Sequence, residues 1–192
     1  MKLNLNSGRS VKNQDNFKTF LKALQHVGKR VFYKKDDVVF AEGQKADFML
    51  IVEEGILRTW RFVNDKEVVL GFTFPGDIEA SPVSFIKSVP CKDNIDAICN
   101  TTCLRVSRKA FYEQLEKQNL PENTIQFILL EYIEVLIQRN LEAKGFTAEE
   151  NYINLLLEQP KLVNKIPLKD VASFLGISKE RLSRIRKKHD LT

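Results

Sequence analysis

Three cysteines, two histidines and a cationic C-terminal stretch are the residues whose types and spacing invite chemistry in this chain. Cys91, Cys99 and Cys103 stand as C-x7-C-x3-C, which fits no zinc, CxxC redox or ferredoxin pattern. Their odd number closes no disulfide framework, so buried structural thiols of a reducing compartment are expected. His26 and His189 lie near opposite ends, outside the β-rich middle, which leaves a His-based metal centre or general base without partners. Asn100-Thr101-Thr102 forms a sequon with no export signal beside it. No catalytic residue, metal ligand or resident cofactor is therefore expected, and an enzymatic reading ranks last.

The C-terminal stretch carries a stronger pattern. Counted from Leu168, the residues Leu168, Val171, Ala172, Leu175, Gly176, Ile177, Leu182 and Ile185 take positions 1, 4, 5, 8, 9, 10, 15 and 18, the spacing of a helix-turn-helix. A small Ala172 lets two helices cross closely, and Gly176 suits a turn conformation that a Cβ opposes. Ser178 caps the second helix. Beside that cap, Lys179, Glu180, Arg181, Ser183, Arg184, Lys187 and Lys188 form an outward face suited to base edges and phosphates in a major groove. These eight residues are the candidate DNA-binding set; a purely structural hairpin is the competing reading. Charge agrees with the motif: residues 160–192 carry nine Lys/Arg against three acids, while the other 21 basic residues face 22 acidic ones.

The rest of the chain must position that face. With 192 residues, 43% hydrophobic and 29% charged, the composition is that of a folded globular chain and excludes bulk disorder. The longest apolar run, Phe48 to Val52, is far short of the roughly 20 residues that span a bilayer, and the first residues lack an apolar signal core. A soluble, cytoplasmic protein with no membrane partner is expected. Residues 1–12 read as frayed, followed by a helix over 15–27 with Phe17, Phe20, Leu21 and Leu24 on one stripe and Gly28 as its stop. From Val31 to Val106, short β-branched and aromatic runs alternate with turn signals at 34–37, 42–43, 53–55, 64–65 and 75–77, the texture of a β-sandwich or barrel. Asn64-Asp65 predicts a two-residue hairpin, with Ile56, Arg58, Trp60 and Phe62 on one face and Trp60 in the core. A short helix over 108–116 follows. Pro121 then opens a long helix from Glu122 to Lys144, whose wide apolar arc of Ile125, Phe127, Ile128, Leu129, Tyr132, Ile133, Leu136, Ile137 and Leu141 predicts both packing on the β module and a dimer. Gly145 ends it, and Thr147 to Glu150 make a capping box that starts another helix.

This order of β-roll, long helix and helix-turn-helix resembles the Crp/Fnr family of transcription regulators over nearly the whole chain. Two stretches carry the likeness: 47–59 with Phe74-Pro75-Gly76-Asp77, similar to the cyclic-nucleotide-binding roll, and 175–186, similar to the recognition-helix motif. The resemblance implies an α+β chain with a double-stranded β-helix, or jelly-roll, effector domain at 1–120, a dimerisation helix at 121–145 and a helix-turn-helix DNA-binding domain at 146–192. It gives base-contacting roles to Lys179, Glu180 and Arg184. It also implies a ligand pocket around Gly76, Ala80, Ser81, Cys91 and Lys92, where this chain departs from the pattern. Nucleotide-binding members have Gly-Glu where Ala80-Ser81 stand, the Glu holding the ribose. They have Arg followed by Ser or Thr where Cys91-Lys92 stand, the Arg clasping the phosphate. Neither Cys91 nor Ser81 replaces a bidentate contact, and Lys92 is a point charge on the neighbouring position, which faces the other way along a strand. A cyclic nucleotide is therefore not expected, nor is an iron–sulfur centre, since the cysteine cluster of the oxygen-sensing branch is missing. Little sequence follows the second reading helix, leaving scant room for a β-wing. The expected partners are double-stranded DNA and a second copy held through 121–145, with RNA polymerase as a further candidate. The alternative function is a small-ligand or cyclic-nucleotide sensor module whose basic tail engages a protein.

Overall fold

The computed structural model describes residues 11–117 and 124–189. Helix α1 (Val11–Val27) leads into eight strands: β1 (Lys29–Tyr33), β2 (Val38–Phe40), β3 (Phe48–Glu54), β4 (Leu57–Val63), β5 (Lys66–Thr73), β6 (Ile78–Glu79), β7 (Asn94–Ala97) and β8 (Thr101–Ser107). A short α2 (Pro82–Lys87) interrupts them between β6 and β7. Then come α3 (Arg108–Lys117), the long α4 (Thr124–Gly145), α5 (Ala148–Glu158), one 3₁₀ turn (Val163–Lys165), α6 (Leu168–Phe174) and α7 (Lys179–Lys188). The strands form two four-stranded antiparallel sheets, ordered β1-β8-β3-β6 and β2-β7-β4-β5, the pairing of a jelly roll.

Local chemistry explains the corners. Val63 pairs with Lys66 across Asn64 and Asp65, both at positive φ (49° and 60°), so the expected hairpin is a tight turn of the twist-matching kind. At Gly55, φ is +90° and a Cβ would sit 2.3 Å from the Thr101 hydroxyl and 2.6 Å from the Asn100 carbonyl oxygen. That hydroxyl is occupied, accepting from the Ile56 amide and donating to the Cys99 carbonyl. The β3–β4 corner therefore needs glycine for both its conformation and its space.

Each sheet is covered on its outer face. Between the sheets lie Leu50, Val52, Leu57, Ile95, Ala97 and Cys103. Outside β3 and β8, Phe20 and Leu24 of α1 pack with Phe85 and Phe111, the Phe111 ring meeting Phe20 and Phe85 edge-on at 5.2 and 5.3 Å. Outside β4 and β5, Ile56, Val69, Phe72 and Ile98 share one cluster with Tyr152, Val163, Val171, Ala172, Leu182 and Ile185 of the C-terminal helices. Ile56, Arg58, Trp60 and Phe62 do face one side, and half-buried Trp60 joins this cluster with the Phe62 ring 5.1 Å away.

Some expectations need adjustment. Helix α1 starts at Val11 rather than Asp15, so residues 11 and 12 are helical and not frayed. Helix α2 was hidden by its brevity and by Pro82, which reads as a breaker yet occupies the first helical turn, where its missing N–H costs nothing. The capping box is present in full: the Thr147 hydroxyl accepts from the Glu150 amide, and the Glu150 carboxylate from the Thr147 amide. Pro121, Glu122 and the side chains of Phe17 and Phe127 lie outside the described residues. The two corner glycines give a paired test. Gly55→Ala should cost more than about 3 kcal/mol in denaturant unfolding, whereas Gly43→Ala, at φ +86° but with open space around it, should cost about 1 kcal/mol. Equal losses would refute the steric account of the β3–β4 corner.

Candidate functional site

The helical pair α6–α7 is built from its turn outward. The Gly176 amide donates to the Ser173 carbonyl at 3.1 Å and the Ile177 amide to the Ala172 carbonyl at 3.0 Å, with Gly176 at φ +66°. These two bonds close the end of α6 in the way a left-handed glycine allows. Ser178 starts α7, its hydroxyl accepting from the Arg181 amide at 3.2 Å. Leu182 and Ile185 turn inward onto Val171 and Ala172. Consequently Ser178, Lys179, Glu180, Arg181, Ser183, Arg184, Lys187 and Lys188 are all exposed. Hydrogen bonds from its own backbone amide and from Ser178 hold the Glu180 carboxyl below the usual range. Lys188 differs from the rest of the face, because its ammonium pairs with Glu149 on α5 at 2.8 Å, next to His189 at 2.6 Å from the same oxygen. Those two partners, Lys188 first, lower the Glu149 carboxyl pKa.

The residues expected to line a roll pocket take different situations. Gly76 makes the exposed turn at φ +89°. Half-buried Ala80 and buried Ser81 lead into α2, where Ser81 is the cap residue and its side chain makes no cap bond. Cys91 is buried and committed elsewhere: its thiol donates to the Ala41 carbonyl at 3.0 Å, and its backbone bonds to Gly43 and Gln44. Lys92 is exposed. Of the three cysteines only Cys91 and Cys103 are buried, the latter with its thiol pushed up to about 12 by burial. Cys99 is half-buried, lining an open cleft of about 600 Å³ with Lys35, Pro75, Asn100 and Lys165. Among the described residues, no group of three or more His, Cys, Asp or Glu is placed to hold a metal, and no helix is long and apolar enough to cross a membrane.

Sequence reading missed the most unusual polar group of the roll. Glu79 on β6 is buried at 7% exposure and bridges the two sheets. Its carboxylate accepts from Thr59 on β4 at 3.1 Å, from Thr73 on β5, and from the Ala80 amide at 3.0 Å. An acid just after a Pro-Gly-Asp turn reads as surface, and nothing local betrays its burial. Above it, α4 contributes Tyr132, whose phenol is raised by burial and which interacts electrostatically with Arg139, Glu79 and Asp93. Arg139 lies over Gly71, with Nη1 3.3 Å from where a Cβ would be. Burial raises the Glu79 pKa above its ordinary value. With an unfolded value near about 4.3, a raised folded pKa gives stability that is present below the unfolded value and lost as pH rises through the folded one. Melting scans should therefore show Glu79→Gln gaining on the wild type as pH climbs from 4 toward 8. A gap that stays constant with pH would refute this reading.

Comparison with known proteins places this geometry. Residues 30–118 match the cyclic nucleotide-binding domain family. Over 176 residues, 85% of this chain and 73% of the relative, the sequence is 23% identical to the nitrogen fixation regulation protein FixK of Bradyrhizobium diazoefficiens. The FixK2 structure from Bradyrhizobium japonicum is similar with a TM-score of 0.68 at 21% identity, covering 85% of this chain and 84% of that one. The catabolite activator protein of Thermus thermophilus is similar with a TM-score of 0.54 at 19% identity, covering 97% and 86%. By name, these relatives are a regulation protein and an activator. Sandwich, helix order and sequence likeness together make this chain similar, over most of its length, to FixK and to the catabolite activator protein, with the cyclic nucleotide-binding domain matched at residues 30–118.

Proposed function

We propose that this protein is a homodimeric, sequence-specific DNA-binding transcription regulator. One observation carries the reading: α7 buries Leu182 and Ile185 while leaving Lys179, Arg181, Arg184 and Lys187 exposed together on a helix that follows a tight turn. In that geometry α7 enters the major groove, Arg184 and Lys179 meet base edges, and Lys187 meets phosphate. The division of labour is a roll over 1–120, a dimerisation helix within 121–145 and a reading unit over 146–192. Supporting the dimer, α4 leaves Leu130, Ile133, Leu136, Ile137 and Leu141 between 44 and 58% exposed, an apolar row with helical spacing that a second copy of the same helix covers. Two such units place their α7 helices about 34 Å apart on a palindrome.

The roll acts here without a cyclic nucleotide. Cys91 spends its thiol on Ala41, Ser81 offers no charge, and the neighbouring Glu79 adds an acidic group to the sheet interior, where an anionic phosphate needs a cation.

Two measurements test this. From a selected duplex, affinity should fall steeply between 50 and 200 mM salt, and Arg184→Ala should lose about 1–3 kcal/mol of discrimination at one base pair. By contrast, Lys187→Ala should weaken all sequences alike. A flat salt response with no preferred sequence refutes DNA reading. Cyclic AMP and cyclic GMP should leave the melting temperature unchanged up to millimolar, whereas a ligand at 100 times its Kd stabilises by about 2.7 kcal/mol.

A further inference from the structure

One arginine of the roll reaches the reading unit. Arg58 on β4 donates through Nε and Nη2 to both oxygens of Asp96 on β7, at 2.9 and 2.5 Å. Its remaining terminal nitrogen, Nη1, donates to Asp170 of α6 at 2.7 Å, across 112 residues of chain. The Trp60 indole N–H donates to the same Asp96 at 2.9 Å, and the guanidinium carbon lies 5.4 Å from the Trp60 ring centre. The side chains of Arg58 and Asp170 are only 11% and 7% exposed. Burial works against the arginine's charge, and the two carboxylates outweigh it, so its pKa is raised.

The direction of this contact matters more than its strength. Apolar packing of Phe72 on Phe174, ring centres 5.4 Å apart, holds α6 on β5 but is indifferent to small rotations. A guanidinium fixed bidentately on Asp96 is oriented within the sheet, and offers Asp170 a single direction of approach. The other end of α6 is pinned by Ser173, whose hydroxyl accepts from the Val69 amide at 3.0 Å and donates to the Glu67 carbonyl at 3.3 Å. Helix α7 is tied to α6 through the Gly176 turn, closed by the hydrogen bonds of the Gly176 and Ile177 amides to α6. On the α4 side, the Phe146 amide donates to the Glu142 carbonyl and the Asn151 side chain donates to the same carbonyl at 3.3 Å.

We infer that Arg58, through Asp170, is a positioning residue for DNA reading: it fixes the angle of α6–α7 on the roll and so sets the half-site spacing that the dimer accepts. This rests on the DNA-binding reading above. Asp170 is the clean place to test it. Removing Arg58 would strand the buried Asp170 and the half-buried Asp96, whereas removing Asp170 leaves the arginine neutralised by Asp96, with the Glu67 carboxylate 3.4 Å from Nη1.

The full-length protein would be titrated against duplexes carrying two selected half-sites at spacings from four base pairs short to four long, and against a single half-site. Wild type should prefer one spacing sharply. Asp170→Ser should lose about tenfold at that spacing, flatten the profile, and bind the single half-site within about twofold of wild type. Asp170→Asn, which keeps the shape and a hydrogen-bond acceptor, should fall between, and it preserves the test if the serine variant folds poorly. An unchanged spacing profile in both variants overturns the inference alone, as does an equal loss on the half-site and the full site. A wild type that binds no duplex better than random sequence overturns the DNA reading and this inference with it.

Discussion

The β2-β7-β4-β5 sheet carries large apolar side chains on both faces, and no single layer can bury them. Its inner side chains, Leu57, Ile95 and Ala97, meet the other sheet, while Ile56, Val69, Phe72 and Ile98 on or beside its outer side need a second cover. The C-terminal helices supply that cover. Tyr152, Val163, Val171, Leu182 and Ile185 lie in the same cluster, so the segment that carries the cationic face is also what completes the burial of the roll. The roll and the C-terminal helices share a core in this chain, and the inward residues of those helices are fixed by the sheet as much as by each other.

That shared core explains which parts of the molecule were legible from sequence. Features governed by residues close together came through: the Asn64-Asp65 hairpin, the Thr147 capping box and the Gly176 turn each depend on three or four neighbours. The helical periodicity of Leu168 to Ile185 predicted the burial of Val171, Leu182 and Ile185 and the exposed face of α7, but not the burial of Asp170. What stayed invisible was set by contacts across the chain. Arg58 reads as one more polar residue on a strand, and Asp170 as a helix-start acid; only the fold joins them. Glu79 gave no sign because its partners, Thr59 and Thr73, sit on the opposite sheet. Cys99 differs from the other two cysteines for a similar reason, lying at the mouth of a cleft that the 3₁₀ turn helps to wall.

Polar groups inside this fold are few and fully engaged. Among the described residues no buried side-chain nitrogen or oxygen lacks a partner. The cross-sheet carboxylate of Glu79 and the cross-unit carboxylate of Asp170 are alike in this respect, each held by donors from strands outside its own element. Such groups are poor sources of net stability but strong sources of register, since an alternative packing leaves them unsatisfied. The jelly roll thus keeps its two sheets aligned with one acid and its helical cover aligned with another.

The long reach of the outer cluster also bears on how the protein is made. Ribosomes deliver the strands first, so a nascent roll holds the side chains of Val69, Phe72, Phe74 and Ile98 bare until Leu182 and Ile185 have emerged. Through that interval the growing chain presents an uncovered apolar face on a sheet whose edge strand, β5, is also unpaired, the combination that favours association between half-made copies. Chaperone demand and sensitivity to premature termination follow from the position of the cover in the chain.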